Sequence, residues 1–266
     1  MKTLCLLILC TAWLPLTAFA NALCQPKEPI TKWFDAQYAS SGNTIIVNNQ
    51  RVRLNGLYAP QIERKQKFHT PGEPLAKEAQ TFLNKLLANN KLKVGLVYDE
   101  NDVDHFGRAL AHAFLEDGTN IQAEMIRAGF AVVRTIEDNT LFNECYFDAE
   151  RWARTGQYQL WDRLEKFPDS HFPLVKSSEL TSADQGYRII RGQVVLAKEG
   201  SSHFLINMDT TGIRIAKKDL YKFDERALRD LKGKTIEVRG YAYLYKNSMY
   251  MVIENPQDID LFQPKP

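Results

Sequence analysis

The stretch that most narrows the possible folds is Arg51-Val52-Arg53-Leu54-Asn55-Gly56-Leu57-Tyr58-Ala59-Pro60-Gln61. Val52 and Leu54 alternate with Arg53, as on a strand whose apolar side faces a core and whose other side carries a cation. Gly56 and Pro60 then punctuate the chain into a loop. The flanking sequence predicts a meander of short strands, Ala36–Ala39, Thr44–Val47 and Val52–Leu57, with turns at Ser40-Ser41-Gly42-Asn43 and Asn48-Asn49. A helix follows, with Leu75, Ala79, Phe82, Leu83, Leu86 and Leu87 on one face and a stop at Asn89-Asn90.

Two more strands, Leu92–Tyr98 and Ala109–Leu115, flank a loop holding Asp99, Asp102, Asp104, Gly107 and Arg108. Asn120 is placed to cap a short helix, Ile121–Ala128, which Gly129 ends. A strand at Phe130–Arg134 and a helix at Thr140–Thr155 complete this part. Five strands, with a helix between the third and fourth, fit an OB-type barrel with added helices.

The same residues resemble the staphylococcal nuclease (thermonuclease) family, whose signature runs roughly Val-Arg-Leu-x-Gly-Ile-Asp-Ala-Pro-Glu. Further matched segments are Gly42-Asn43-Thr44, Glu73 to Phe82, Asp104-His105-Phe106-Gly107-Arg108-Ala109-Leu110-Ala111, Ile126-Arg127-Ala128-Gly129-Phe130-Ala131 and Leu160-Trp161. The resemblance covers about residues 33–165. It implies that Arg53 and Arg108 are the two arginines that grip the scissile phosphate and stabilise its transition-state charge. It also implies a calcium site and a carboxylate acting on the attacking water. At those positions this chain has Asn43, Tyr58 and Gln61. Calcium wants several hard, preferably anionic oxygens, and glutamine cannot take up a proton. The expected catalytic remnant is therefore Arg53, Arg108 and Gln61, with no metal or other cofactor.

Alternatives remain open at this stage. Arg53 and Arg108 could instead be salt-bridged in the barrel mouth, Arg53 with Asp104. Glu63 or the Asp99/Asp102/Asp104 cluster could replace the missing ligands and give an active endonuclease, with calcium as its cofactor. Where family nucleases carry tyrosines in the nucleotide pocket, Thr135, Glu137 and Asp138 stand here, which predicts a first domain that repels phosphates, although Phe106 keeps one aromatic.

The rest of the chain sets the context. Lys2, the apolar run Leu4–Leu16 and Ala18-Phe19-Ala20 read as a secretory signal peptide over residues 1–20, cleaved after Ala20. The run is too short for a membrane-spanning helix, which needs about 20 residues. The expected location is periplasmic or secreted, without stable membrane insertion. Cys24 and Cys145 remain in the mature chain, as a disulfide suited to an oxidising compartment or, for Cys145 on its apolar helix stripe, as a buried thiol.

The reading divides the chain into a nuclease-like OB domain at 31–165, a polar linker at 166–184 and a smaller OB-like β-barrel at 185–263. The class is mainly β with packing helices. The formal net charge is only +2, but acidic side chains prevail over 21–184 and basic ones beyond 185, which favours anionic partners for the second part. There, alternation along Thr235–Tyr245 sets Arg239, Tyr241, Tyr243 and Tyr245 on one face, a basic and aromatic set suited to single-stranded DNA or RNA. The functional expectation is an exported protein that binds nucleic acid and has lost or weakened its phosphodiesterase activity. The third reading is a protein-interaction module of the cell envelope.

Overall fold

The computed structural model describes residues 24–65, 69–162 and 171–262. The expected signal peptide lies outside the described residues.

The first unit is a closed barrel of β1 (Trp33–Ser41), β2 (Thr44–Val47), β3 (Gln50–Leu54), β5 (Lys93–Val97) and β6 (Ala109–Phe114), in the order β1-β2-β3-β6-β5. Closure falls to β1, long enough to pair with β2 through its second half and with β5 through Trp33–Asp35. Asn48 and Asn49, with φ of 48° and 62°, make the tight turn between β2 and β3, a conformation that asparagine tolerates. β4 (Leu57–Tyr58) leaves the barrel to pair with β7 (Val132–Val133).

The helix α1 (Ala76–Asn89) closes one end of the barrel with Ala79, Leu83 and Leu87. It approaches so closely that a Cβ on Gly42 would lie 2.7 Å from the Ala59 methyl and 2.9 Å from that of Ala79. The helix α2 (Ile121–Arg127) starts where expected, the Asn120 side chain accepting from the Ala123 amide at 3.0 Å. The helix α3 (Asn143–Thr155) packs beside it. Cys145 at the start of α3 is bridged to Cys24, with Cα atoms 5.5 Å apart, so the disulfide stands rather than the buried thiol.

The second unit is an eight-stranded sheet among the described residues. It runs β10 (Leu196–Glu199), β11 (His203–Asn207), β12 (Thr211–Ala216), β14 (Ser248–Val252), β13 (Thr235–Tyr245), β9 (Gly186–Gln193), β8 (Leu174–Lys176), with β15 (Ile259–Leu261) paired to β13. Its core gathers Val175, Ile190, Phe204, Ile206, Ile213, Ile236, Val238 and Met251, with α4 (Glu225–Arg229) contributing Leu228. The barrel expected here takes the form of a sheet with edges at β10 and β8.

One expectation is overturned. Of the linker expected at 166–184, residues 166–170 lie outside the described residues, and 171–184 are structured: Phe172 and Val175 are buried, and Leu174–Lys176 adds a parallel strand to β9. The Pro- and Ser-rich composition hid three apolar side chains that β9 needs as its neighbour.

The two units share a third apolar cluster. Tyr58, Val132, Ala153, Leu160 and Trp161 from the first meet Phe172, Tyr187 and Ile189 from the second. Tyr58 lies over Tyr187 with ring centroids 4.4 Å apart and planes at 16°. The units are thus packed core to core, not strung on a tether.

Candidate functional site

Alternation on β3 sends Val52 and Leu54 into the barrel and Arg53 to the other side, where β2 and β6 flank it at Thr44 and Leu110. Arg53 is only 7% exposed. Yet its guanidinium has no hydrogen bond and no ion pair with any described residue. Burial first, then the neighbouring charge of Arg134 and, more weakly, Arg108, bring its pKa down to about 10. It remains a cation at neutral pH, largely covered by its neighbours but open to the cleft, and without a counter-ion among the described residues.

Arg53 lines an open cleft of about 1100 Å³ together with Asn43, Gln61, Glu63, Arg108, Arg134 and Tyr241. The loop before β6 is tied by Asp104, whose Oδ1 accepts from the Phe106 and Arg108 amides at 2.9 and 3.0 Å. Its Oδ2 takes Arg108 Nε at 2.7 Å and a terminal nitrogen at 2.6 Å. Burial alone would raise the Asp104 carboxyl, but these bonds outweigh it and hold the carboxyl below its ordinary range. The expected alternative of Arg53 paired with Asp104 is therefore replaced: Asp104 belongs to Arg108, and Arg53 is left over.

Arg134, just past β7, was not singled out by the sequence. It is anchored by its amide to the Gly56 carbonyl at 3.1 Å, and its Nη1 meets the Tyr241 hydroxyl at 3.2 Å. Its guanidinium lies over the Tyr241 ring, 4.9 Å from the centroid. The cleft thus receives a wall from the second unit. Glu137 and Asp138, expected to put acid beside this cleft, do not line it; the carboxylates that do are Glu63 and Asp104. Asp138 is engaged by Lys222, and Thr135 is buried as acceptor for Asn143 Nδ2 at 3.0 Å.

The three positions expected to hold metal ligands are separated. Asn43 and Gln61 line the cleft, whereas Tyr58 is buried in the junction. The Asn43 Oδ1 accepts from the Ser41 and Thr44 hydroxyls at 2.9 and 3.0 Å, and Gln61 Nε2 donates to the Ala59 carbonyl at 2.8 Å. Tyr58 donates its hydroxyl to Glu73 Oε2 at 2.9 Å, and the same oxygen accepts from the Gln61 amide at 2.8 Å. Glu73, which entered the sequence reading only as the first residue of a matched segment, therefore organises the loop. Burial raises its carboxyl above the usual range despite those bonds, and raises the Tyr58 phenol as well, with Glu73 adding to the shift.

Of the four residues expected on the nucleic-acid face of β13, Tyr241, Tyr243 and Tyr245 are exposed. Arg239 is not. It is 1% exposed and clamped by Glu150 of α3, at 3.0 Å to Oε2 and 3.2 Å to Oε1, and by Asp260 at 3.1 Å. Strand alternation correctly set it on the side away from the second core, but α3 of the first unit covers that side.

Residues 51–163 match the family described as staphylococcal nuclease homologue. The thermonuclease of Staphylococcus intermedius is 29% identical over 126 residues, covering 46% of this chain and 71% of that protein. The thermonuclease of Staphylococcus hyicus is 28% identical over 124 residues, 45% of this chain and 70% of its own. A probable endonuclease, LCL3, of Uncinocarpus reesii is 27% identical over 123 residues, 43% of this chain and 38% of its own.

Proposed function

Since residues 51–163 match the family described as staphylococcal nuclease homologue, we propose that the cleft binds the phosphates of nucleic acid and has lost, or nearly lost, calcium-dependent cleavage. The observation that carries the reading is Arg53. A guanidinium that lines an open cleft beside two further arginines, with no partner of its own among the described residues, is placed to take an external anion. A guanidinium suits a phosphate because it offers paired donors in a fixed fork. Arg108, with part of its fork free of Asp104, and Arg134 add positive charge around the same space.

The donor set argues against calcium. Asn43 offers a carbonyl already accepting two hydroxyls, Gln61 is neutral, and Tyr58 is a protonated phenol turned into the junction. Calcium takes 6–8 oxygens, several of them carboxylate. The carboxylates of Glu63 and Asp104 border the cleft, but Glu63 is drawn to His69 at 2.9 Å and Asp104 is closed by Arg108. A positioned general base is worth roughly 10²–10⁴-fold in rate, and no carboxylate stands at the Gln61 position to supply it. The proposed setting is periplasmic or extracellular, for which the Cys24–Cys145 bridge speaks.

The test is to incubate the full mature chain with labelled oligonucleotide in calcium, in other divalent metals and in chelator. Expected is binding that weakens steeply with salt, as phosphate contacts do, without cleavage. Metal-dependent cutting that Arg53→Ala abolishes would instead establish an active endonuclease, with Glu63 first among its ligand candidates.

A further inference from the structure

The strand β13 outruns its neighbour. Its pairing with β9 ends at Ala242↔Gly186, and the remaining residues continue only as a hairpin with β14, Tyr243 facing Tyr250 and Tyr245 facing Ser248. Side chains two apart on a strand share a face and lie about 6.8 Å apart. Tyr241, Tyr243 and Tyr245 therefore form a row, and Tyr250, directly across from Tyr243, joins it. The first ring borders the Arg53 cleft, and the last stands at the hairpin tip. Tyr241, Tyr243 and Tyr245 are 47%, 42% and 53% exposed.

The row is interleaved with cations. Arg134 lies 4.9 Å from the Tyr241 ring, Arg214 4.9 Å from Tyr250 and Lys246 5.3 Å from Tyr245. Its arrangement is built into the sheet: a Cβ on Gly212 would come within 2.6 Å of the Tyr250 ring and 2.9 Å of the Arg214 guanidinium. The glycine leaves room for both. Tyr250 is in turn stacked with Tyr243 at 6.1 Å and edge-on to Tyr245 at 5.9 Å.

Exposed aromatic faces alternating with positive charge suit unpaired bases on a phosphate backbone, because every base has a π-face to stack and every link a charge to neutralise. A duplex hides those faces. We propose that the hairpin is a guide for single-stranded nucleic acid, which seats one phosphate on Arg53 and lays the following bases along Tyr241, Tyr243 and Tyr245. The inference rests on the reading of the cleft as a phosphate site, and adds that the ligand is a strand several nucleotides long whose path is set by the second unit.

The experiment measures binding of the full mature chain to a thymidine dinucleotide, to dT12, to rU12 and to a blunt 12-base-pair duplex. The proteins are wild type, Arg53→Met and the double variant Tyr243→Ala/Tyr245→Ala, each checked by thermal melting. dT12 and rU12 are expected to bind far better than the duplex, their ratio showing whether DNA or RNA is preferred. The tyrosine variant should lose on the order of 10–100-fold for dT12 while keeping its affinity for the dinucleotide; Arg53→Met should weaken both. Unchanged dT12 affinity in the tyrosine variant would overturn the guide and leave the cleft standing. Unchanged dinucleotide affinity in Arg53→Met would overturn the cleft reading. Duplex bound as tightly as dT12 would overturn the single-strand specificity.

Discussion

Arg53 and Arg239 sit on strands of different units, and both are buried, at 7% and 1% exposure. Their surroundings are opposite. Arg239 has two carboxylates, the Val133 carbonyl at 3.2 Å and the Phe147 ring 4.7 Å from its guanidinium. Burial by itself would lower its pKa, but Glu150 outweighs that and pushes it up. At Arg53 burial has nothing to outweigh it and other arginines add to it, so the pKa falls to about 10. The junction around Arg239 is neutralised within the molecule. Arg53, on the wall of the open cleft, has no such partner among the described residues. Burial of a charge therefore says little about its role until its partners are known.

The largest expected effect comes from breaking the neutralised side. Glu150 also accepts from the Val133 amide at 2.7 Å and pairs with Arg154 at 2.8 Å. Glu150→Gln should cost roughly 3–5 kcal/mol, because it leaves the buried Arg239 with only the half-exposed Asp260 as its carboxylate. Urea unfolding measures it, and a loss below about 1 kcal/mol would mean that the junction does not depend on this pair.

Tyr58→Asp restores the residue type expected of a calcium site, but it places a carboxylate under Tyr187 and beside Glu73. A loss of roughly 2–4 kcal/mol is expected from the missing aromatic contact and the buried charge, with no calcium-dependent cleavage gained. Nuclease activity in this variant, read by gel assay, would show that the junction leaves the ligand position usable.

A third expectation concerns pH. Burial pushes the Asp258 carboxyl up to about 7, against the pull of Arg239. Its folded pKa lies above the ordinary 3.8, so the native state binds the proton more tightly. The stability this contributes is complete below pH about 4 and is lost as pH rises through 7. Asp258→Asn should abolish that dependence, gaining on the order of 1–3 kcal/mol over wild type between pH 4 and 8. Melting curves that fall in parallel for both proteins would contradict it.

The smallest effect is the most diagnostic. Arg53→Met should raise stability by about 0.5–1 kcal/mol, since functional sites hold groups that folding alone would not choose. Phosphate or pyrophosphate is expected to raise the melting temperature of the wild type, and Arg53→Met should remove that rise. A destabilised Arg53→Met would place this arginine with Arg239, among the groups that hold the fold together.

The first barrel was legible because its local signals agree. Strand alternation, the Asn48-Asn49 turn, the Leu83/Leu87 stripe and the Asn120 cap each point to the element observed. Arg53 and Arg108 were legible as members of one site, and Asn43 and Gln61 as its neighbours. What the sequence hid was contact between the units. Alternation tells which side of β13 Arg239 occupies, not that α3 lies on it. It puts Tyr58 at the end of a strand but says nothing of Tyr187 beneath it. Arg134 gave no warning because an arginine after two valines is unremarkable until Tyr241 is brought against it from more than a hundred positions away.

The bridge from Cys24 to Cys145 spans a sequence separation of 121 and encloses every strand of the first barrel. During synthesis its second half emerges only after the last of those strands, so its closure marks a finished barrel. A protease that cuts anywhere in the enclosed stretch, including beside Arg64 and Lys65, leaves two fragments still covalently joined. Such a nick would pass unseen on a gel until a reductant was added.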